Sequence, residues 1–239
     1  AWNGAALKKR TSDLVRTDGG HAAAILSVEG ELTGFAFDAA GDVWLTQLTT
    51  AGGTLCRAKH DSWGAAVEQV VTQLDGAPLG AVSAVEVSPA GKVYFAVAAA
   101  AGAENGLESA LRTELLAHTA TGCVYVYDPA ARTVETVLTG IAGASGLALD
   151  EAAETLYVSD LGSRCVWAVD TAARDLTAGG KGCSTHLYGL PGYPGALSLD
   201  ADGTLYISYR WARSGWLEDH AGRTLLRGMA LRLSQTMQE

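Results

Sequence analysis

Residues 146–160, GLALDEAAETLYVSD, contain the unit that decides the fold of this chain. A short run with alternating apolar residues is followed by a turn and by a second apolar run that carries an aromatic residue, a pattern typical of a β-hairpin. The same unit recurs at 35–44, 85–94 and 197–206. The four copies begin 50, 62 and 50 residues apart, at residues 35, 85, 147 and 197, which is close to the length of one four-stranded propeller blade.

The segments between the hairpins extend this pattern. Strand-like runs follow one another with short polar turns, and no series of long helices separates them as a parallel sheet would require. The sequence therefore predicts an all-β fold, a β-propeller of four-stranded antiparallel blades of which four are recognisable. One insertion differs: Leu107, Leu111 and Leu115 recur at four-residue steps. This spacing predicts an amphipathic helix near 104–120, either a lid over one face or an ordinary surface insertion.

The length of the chain indicates the number of domains, and its charge and apolar stretches indicate which classes of partner are excluded. The 239 residues suit a single domain, which we place at 21–239 after an N-terminal arm at 1–20. We also expect a third-strand-like run at 226–233.

A net charge of −9 without a basic stripe argues against a nucleic-acid partner. The longest apolar stretches are too short to span a bilayer, so we predict no membrane-spanning segment.

The cysteines are interpreted from their spacing. Cys56, Cys123 and Cys165 each precede an Asp by five residues, which suggests one repeat position in three successive blades, and Met229 is interpreted in the same way. Equivalent positions of neighbouring blades are too far apart for a disulfide. We expect buried free thiols at these positions, with Cys183 alone in a loop. Free thiols at this count favour an intracellular or organellar compartment.

Four stretches carry a resemblance to a known family. They are DGAPLGAVSAVEV at 75–87, GCVYVYDP at 122–129, GIAGASGLAL at 140–149 and LPGYPGAL at 190–197. Their order resembles the strictosidine-synthase-like family of six-bladed propellers, and more distantly the gluconolactonase and senescence-marker group. The resemblance covers about residues 30–233. It implies that four blades of this chain match the second to fifth blades of the family.

The resemblance also indicates where the site lies. In the wider superfamily, polar residues at the mouths of the innermost strands bind a divalent cation or line the substrate pocket. The family's Asn-Asp falls on Ser83 and Ala84 here, its Asn-Gly on Ser145 and Gly146, and its Asp after Gly-Tyr-Pro on Gly195. A hard cation needs oxygen ligands, above all carboxylates, so we predict no metal, no cofactor and no catalytic residue at these positions. The predicted pocket-lining residues around a small-molecule ligand are Ser83, Ser145, Tyr193 and Gly195.

Three functions follow as hypotheses. The first is a non-catalytic binding or scaffold subunit of a larger assembly, because an incomplete ring leaves strand edges that partner chains would cover. Large aromatics in the terminal segments suit interface anchors, and Trp2, Trp211 and Trp216 are the candidates. The alternative is a metal-dependent lactonase or arylesterase that uses Glu31, Glu86 or Asp160. The third is a strictosidine-synthase-type enzyme that condenses an amine with an aldehyde. This reaction needs a glutamate facing the channel, and we find no match for the synthases' catalytic glutamate.

Overall fold

The computed structural model describes residues 10–18, 20–62, 65, 67–152, 154–220 and 223–231. Strands predominate in this part of the chain. In chain order they are β1 (Thr11–Asp18), β2 (His21–Glu29), β3 (Glu31–Phe37), β4 (Val43–Thr49), β5 (Gly52–Ala58), β6 (Glu68–Val71), β7 (Gln73–Leu74), β8 (Ala77–Pro78), β9 (Val82–Val87), β10 (Val93–Val97), β11 (Gly122–Asp128), β12 (Thr133–Ile141), β13 (Ala144–Asp150), β14 (Thr155–Asp160), β15 (Cys165–Asp170), β16 (Leu176–Thr177), β17 (Cys183–Leu187), β18 (Gly192–Leu199) and β19 (Leu205–Ala212). The helices are α1 (Leu107–Ala117), α2 (Gly215–Asp219) and α3 (Thr224–Ala230).

The strands form antiparallel blades, which confirms the predicted all-β propeller architecture. Blade 1 is β3-β4-β5-β6, blade 2 is β9-β10-β11-β12 with the short β16 added in parallel, and blade 3 is β13-β14-β15-β17. Strands β18 and β19 form a two-stranded sheet, as do β1 and β2. The innermost strands β3, β9, β13 and β18 lie side by side in that order. Each predicted hairpin supplies the two inner strands of a blade or of the β18-β19 sheet.

A repeated turn closes three of the four hairpins. The amide of Gly41 donates to the Asp38 carbonyl, and the amides of Gly91 and Gly203 donate in the same way to residues 88 and 200. These glycines have φ values of 82°, 79° and 85°, a region that side chains with a Cβ rarely adopt. In blade 3, Glu154 takes this place with φ 49°. The turn residues seen in the sequence therefore set the hairpin geometry.

The core lies between the blades. Phe95 and Val85 of blade 2 pack against Leu48 and Leu55 of blade 1, and a second cluster fills the space between blades 2 and 3. Helix α1 covers the first cluster with Leu107, Leu111 and the other buried residues of one face, as the predicted lid requires. Among the described residues, no helix combines the length and the apolar character that crossing a membrane demands.

The C-terminal segment corrects one expectation. Residues 226–233 were expected to continue as a third strand, but residues 224–230 form α3. The guanidinium of Arg227, which is 5% exposed, donates from Nε to the Leu116 carbonyl at 2.9 Å and from Nη2 to the Leu115 carbonyl at 2.5 Å. These carbonyls end α1 and have no partner within that helix. The segment is thus helical because it packs on the lid.

The cysteine positions are also partly corrected. Cys123 pairs with Val97 and Cys165 with Asp160, at the same place in the third strands of blades 2 and 3. Cys56 pairs with Leu45, two residues further along, so it does not share that register position, and Met229 lies in a helix. Cys183 lies in β17 and not in a loop. All four thiols are free.

The segment predicted as an N-terminal arm begins with residues outside the described part. Residues 11–18 form β1, which pairs with β2. The hairpin packs Leu14, Leu26 and Val28 against Val43 and Leu45 of blade 1. The division of the chain at residue 20 remains a prediction.

Candidate functional site

The innermost strands line an open pocket of about 380 Å³, which we call the axial pocket because the inner strands of a propeller face its axis. Strands β3, β9, β13 and β18 each contribute to its wall, and β19 adds Arg210. Apolar and polar groups both contribute to its wall. The lining residues with a polar side chain are Thr33, Ser83, Glu86, Ser145 and Arg210.

The two predicted serines line this pocket, and their hydroxyls join neighbouring inner strands. Ser83 Oγ donates to the Ala144 carbonyl at 2.6 Å, from β9 to β13. Ser145 Oγ donates to the Pro194 carbonyl at 2.8 Å, from β13 to β18. Both side chains are 4% exposed. Because each hydroxyl has a single proton and has already committed it to a carbonyl, these serines mainly fix the spacing of the strands.

The other two predicted pocket residues lie elsewhere in the structure. Gly195 is buried in β18, where its carbonyl accepts from Ser159 Oγ at 2.7 Å. Tyr193 is 3% exposed and lines a separate pocket of about 280 Å³ with His118, Arg164 and Arg227. The structure therefore brings Ser83 and Ser145 together on the axis but leaves Tyr193 outside this site.

The predicted interface tryptophans occupy different environments. Trp2 lies outside the described residues. Trp211 is half-buried against the first core cluster, which includes the buried residues of α1, with the guanidinium of Arg112 over its ring at 5.7 Å. Trp216 is 45% exposed and stacks on His220 with 4.7 Å between the ring centroids. Their role at an interface remains a prediction.

Glu86 is the carboxyl group of the axial pocket. Of the three carboxylates named for the hydrolase hypothesis, it alone lines this pocket. It is half-buried on β9, no partner for its carboxyl is found among the described residues, and burial raises its pKa to about 7. A carboxyl that titrates near neutral pH is suited to general acid or base chemistry.

The other two carboxylates have structural partners. Glu31 accepts from the Leu107 amide at 3.1 Å, at the start of α1. Asp160 is 1% exposed and accepts from the Ser163 amide and from Trp167 Nε1, while burial raises its pKa. The Glu31 contact stabilises the start of α1, and the Asp160 contacts stabilise the turn between β14 and β15.

Arg210 brings a positive charge to the same pocket. Its Nη1 donates to Glu108 Oε2 at 3.1 Å, so the guanidinium joins β19 to the lid helix. The remaining guanidinium nitrogens can bind a carbonyl oxygen or a carboxylate. Sequence reasoning did not select Arg210, because it lies on the second strand of its hairpin and the predicted site used only the mouths of the first strands.

A divalent cation fits this donor set poorly. Cations such as Ca²⁺ take six to eight oxygen ligands, and carboxylates are prominent among them. In the part of the chain that the structure describes, no group of three His, Cys, Asp or Glu residues could hold a metal ion. The axial hydroxyls donate to carbonyls, and Glu86 provides the carboxylate. We derive no step of the chemistry through a metal.

Comparison with known proteins agrees with the propeller architecture and adds a family. Residues 31–218 match the model of the SMP-30/gluconolactonase/LRE-like region, which is more than half of the chain. The chain belongs to this family. The region that matches the SMP-30/gluconolactonase/LRE-like family covers all three full blades and the β18-β19 sheet. No relative was found among curated protein sequences.

Solved structures show the same fold. A gluconolactonase from Xanthomonas campestris has a TM-score of 0.60 at 19% identity, with 80% of this chain and 60% of that chain covered. A luciferin-regenerating enzyme has a TM-score of 0.55 at 18% identity, with 77% and 58% covered. A catalytically inactive virginiamycin B lyase from Staphylococcus aureus has a TM-score of 0.50 at 11% identity, with 83% and 53% covered. The chain thus spans about 60% of the length of the gluconolactonase.

The family assignment is broader than the resemblance seen in the sequence. The matched family and the gluconolactonase structures support the superfamily of the predicted resemblance. The narrower strictosidine-synthase-like assignment is not confirmed. Among the functional hypotheses, the family favours the hydrolase over the scaffold subunit, for which the comparisons offer no support.

Proposed function

We propose that this chain hydrolyses a lactone or ester in the axial pocket, with Glu86 as the general base. The observation that carries the proposal is the half-buried Glu86 carboxyl, without a partner among the described residues, whose pKa is raised to about 7. Membership of the SMP-30/gluconolactonase/LRE-like family supports a lactone substrate class.

The chemistry requires one water molecule and no redox partner. The Glu86 carboxylate accepts a proton from water as the water oxygen bonds to the acyl carbon, and the carbonyl oxygen becomes an oxyanion. When this intermediate collapses, the bond to the leaving oxygen breaks and the Glu86 carboxyl returns the proton to that oxygen. Arg210 stabilises the oxyanion or holds a carboxylate of the substrate.

The apolar side chains of the pocket wall suit the non-polar part of a substrate. Leu32 and Phe35 present partly exposed side chains at the wall, while Ser83 and Ser145 donate to backbone carbonyls and cannot also donate to a substrate hydroxyl. We therefore propose lactones and esters with aliphatic or aromatic groups as substrates.

The test compares an aliphatic lactone, an aryl ester and gluconolactone as substrates of the purified 239-residue chain. We expect turnover of the first two in preference to gluconolactone, a loss of about 100-fold or more in kcat for Glu86→Gln, and no loss with EDTA. The control is Glu68→Gln, which changes an exposed carboxylate on β6. Full activity of Glu86→Gln would refute its role as the base.

Three other outcomes separate the competing hypotheses. Activity abolished by EDTA and restored by a divalent cation would favour the metal-dependent lactonase or arylesterase. Binding of an aryl ester without turnover, with the affinity unchanged in Glu86→Gln, would favour a binding subunit. Condensation of an aryl ethylamine with an aldehyde would favour the synthase hypothesis, which also needs a glutamate in the channel.

A further inference from the structure

A second cavity lies where helices α1, α2 and α3 meet blade 3 and β18. It has a volume of about 280 Å³, near the lower limit for a small-molecule site. Its polar lining residues are His118 at the end of α1, Ser163 and Arg164 between β14 and β15, Tyr193 of β18, Glu218 of α2 and Arg227 of α3. The proposed hydrolysis uses none of these side chains.

The Tyr193 hydroxyl is a buried donor in this cavity. Tyr193 is 3% exposed, and its ring packs in the first core cluster. Burial lowers the pKa of Arg227, and the nearness of the Tyr193 phenol opposes this shift, so the hydroxyl end faces that guanidinium across the cavity. No hydrogen-bond partner for the hydroxyl is found within the described ranges of the chain. A buried hydroxyl in this state is unfavourable unless a ligand or water completes the bond.

Tyr94 shows the usual arrangement of a buried tyrosine in this fold. It is also 3% exposed, and its hydroxyl donates to the Thr171 carbonyl at 3.1 Å. The hydroxyls of Ser83 and Ser145 likewise donate to carbonyls. Tyr193 therefore differs from these buried hydroxyls in having its donor directed at a cavity.

Arg164 brings further donors to the same wall. Its Nη1 lies 3.3 Å from Glu218 Oε1 and donates to the Leu190 carbonyl at 3.4 Å. For its Nε and Nη2, the described residues offer no partner. The side chain is 23% exposed, so these two donors are accessible from the cavity. The Nε and Nη2 donors of one guanidinium match the two oxygens of a carboxylate.

The charges around the cavity favour a ligand with a single negative charge. Arg164 and Arg227 contribute two guanidinium groups to the wall. Glu218 already contacts Arg164 through Oε1, and its Oε2 lies 2.5 Å from Arg213 Nη2. A cationic ligand would have to compete with these arginines for Glu218, while a doubly charged anion would be repelled more strongly by the same carboxylate. A monoanion meets neither penalty in full.

We propose that this cavity binds the carboxylate group of a small monocarboxylic acid. Nε and Nη2 of Arg164 donate to the two carboxylate oxygens, and the Tyr193 hydroxyl donates to one of them. Arg227 adds positive charge while its Nε and Nη2 stay bound to the carbonyls of α1. Leu217, which also lines the cavity, contacts the aliphatic part of the acid.

The site is independent of the proposed hydrolase activity. The cavity and the axial pocket have no lining residue in common. A bound carboxylate would join Arg164 of blade 3 to Tyr193 of β18, beside the arginine that holds the end of the lid helix. Because such a ligand binds the folded chain and not the unfolded one, it should raise the melting temperature.

The test measures the melting temperature of the 239-residue chain at constant ionic strength with four probes. The probes are butyrate, its neutral analogue butyramide, inorganic phosphate and chloride, and calorimetric titration gives each dissociation constant. At ten times its dissociation constant, butyrate should raise the melting temperature by about 3–5 °C. Phosphate should bind more weakly, and butyramide and chloride should give no saturable shift. The absence of a saturable shift with butyrate would overturn the proposal, and tighter binding of phosphate would overturn the choice of a monocarboxylate.

Tyr193→Phe removes the hydroxyl and keeps the ring. It should raise the dissociation constant of butyrate at least about tenfold, because a hydrogen bond to a charged acceptor is lost. Without butyrate its melting temperature should not fall, because the hydroxyl makes no bond that the variant could lose. The matched control is Tyr94→Phe, which loses the bond to Thr171 and should have a lower melting temperature and an unchanged affinity for butyrate. Wild-type affinity in Tyr193→Phe would overturn the site.

Arg164→Gln tests the guanidinium. It should also raise the dissociation constant of butyrate at least about tenfold. Arg132→Gln removes the same charge from an exposed turn of blade 2 and should leave the affinity unchanged. An equal loss of affinity in both variants would show that butyrate responds to net charge alone and would refute the site.

Discussion

Replacement of Glu86 by Gln should change how the stability of the protein depends on pH. Burial raises the pKa of Glu86 from 4.5 to about 7 in the folded state. A folded-state pKa above the unfolded value means that the folded state binds the proton more tightly, so its contribution is fully present below about pH 4.5 and is lost as pH rises through 7. The difference between the folded and unfolded pKa corresponds to at most about 3 kcal/mol in the free energy of unfolding. Because water screens a half-buried site, roughly 2 kcal/mol is expected.

Urea unfolding at about pH 5 and at about pH 8 measures this effect. In the wild type, ionisation of Glu86 as the pH rises from about 5 to about 8 lowers the free energy of unfolding by about 2 kcal/mol. Gln cannot ionise, so Glu86→Gln should lose that part of the slope and be more stable than the wild type at the higher pH. Glu68→Gln, at an exposed position of β6, should keep the wild-type slope. The same slope in Glu86→Gln and in the wild type would refute the reasoning that burial raises this pKa.

Three further predictions address packing. Cys56 is 0% exposed, and burial raises its pKa to about 12. Its thiol should therefore react with a bulky disulfide reagent only after the protein unfolds, which a time course of labelling measures. Arg227→Met removes the two hydrogen bonds to the end of α1, and should lower the free energy of unfolding by about 2 kcal/mol, measured by urea; an unchanged value would show that α3 does not hold the lid. Gly146→Ala places a Cβ 2.4 Å from the Gly195 carbonyl oxygen and should lower the melting temperature by several degrees or more, whereas Gly215→Ala, with no atom within 4 Å, should not.

The hairpins could be predicted from the sequence because their information is local. Alternating apolar residues and a turn glycine at Gly41, Gly91 and Gly203 define the strand pair wherever it lies in the fold. Helix α3 could not be predicted in this way. In the sequence, residues 228–234 alternate as a strand would and overlap the end of this helix. The helical form depends on the contact of Arg227 with carbonyls 111 and 112 residues earlier in the chain.

The family resemblance indicated where to look for the site, but its chemistry only in part. The resemblance placed Ser83 and Ser145 at the mouths of inner strands, and both line the pocket. The hydrolase alternative, which follows from the superfamily resemblance, named Glu86 together with Glu31 and Asp160 and did not choose among them. The raised pKa of Glu86 was not visible, because desolvation of this carboxyl depends on the neighbouring blades.

Ser83 and Ser145 join neighbouring inner strands without a charged side chain, whereas Glu86 places an ionisable group beside them. Ser83 and Ser145 carry no charge and donate to carbonyls of the next strand, so they join the strands where charged ligands would repel one another unless a metal lay between them. Glu86 lies on the same strand as Ser83, and no such partner for it is found within the described part of the chain. Because burial raises its pKa to about 7, a proton can neutralise this carboxyl at little cost near neutral pH. The same proton is the one that the proposed hydrolysis would move, so the feature that lets the carboxyl be buried also makes it suitable as an acid and a base.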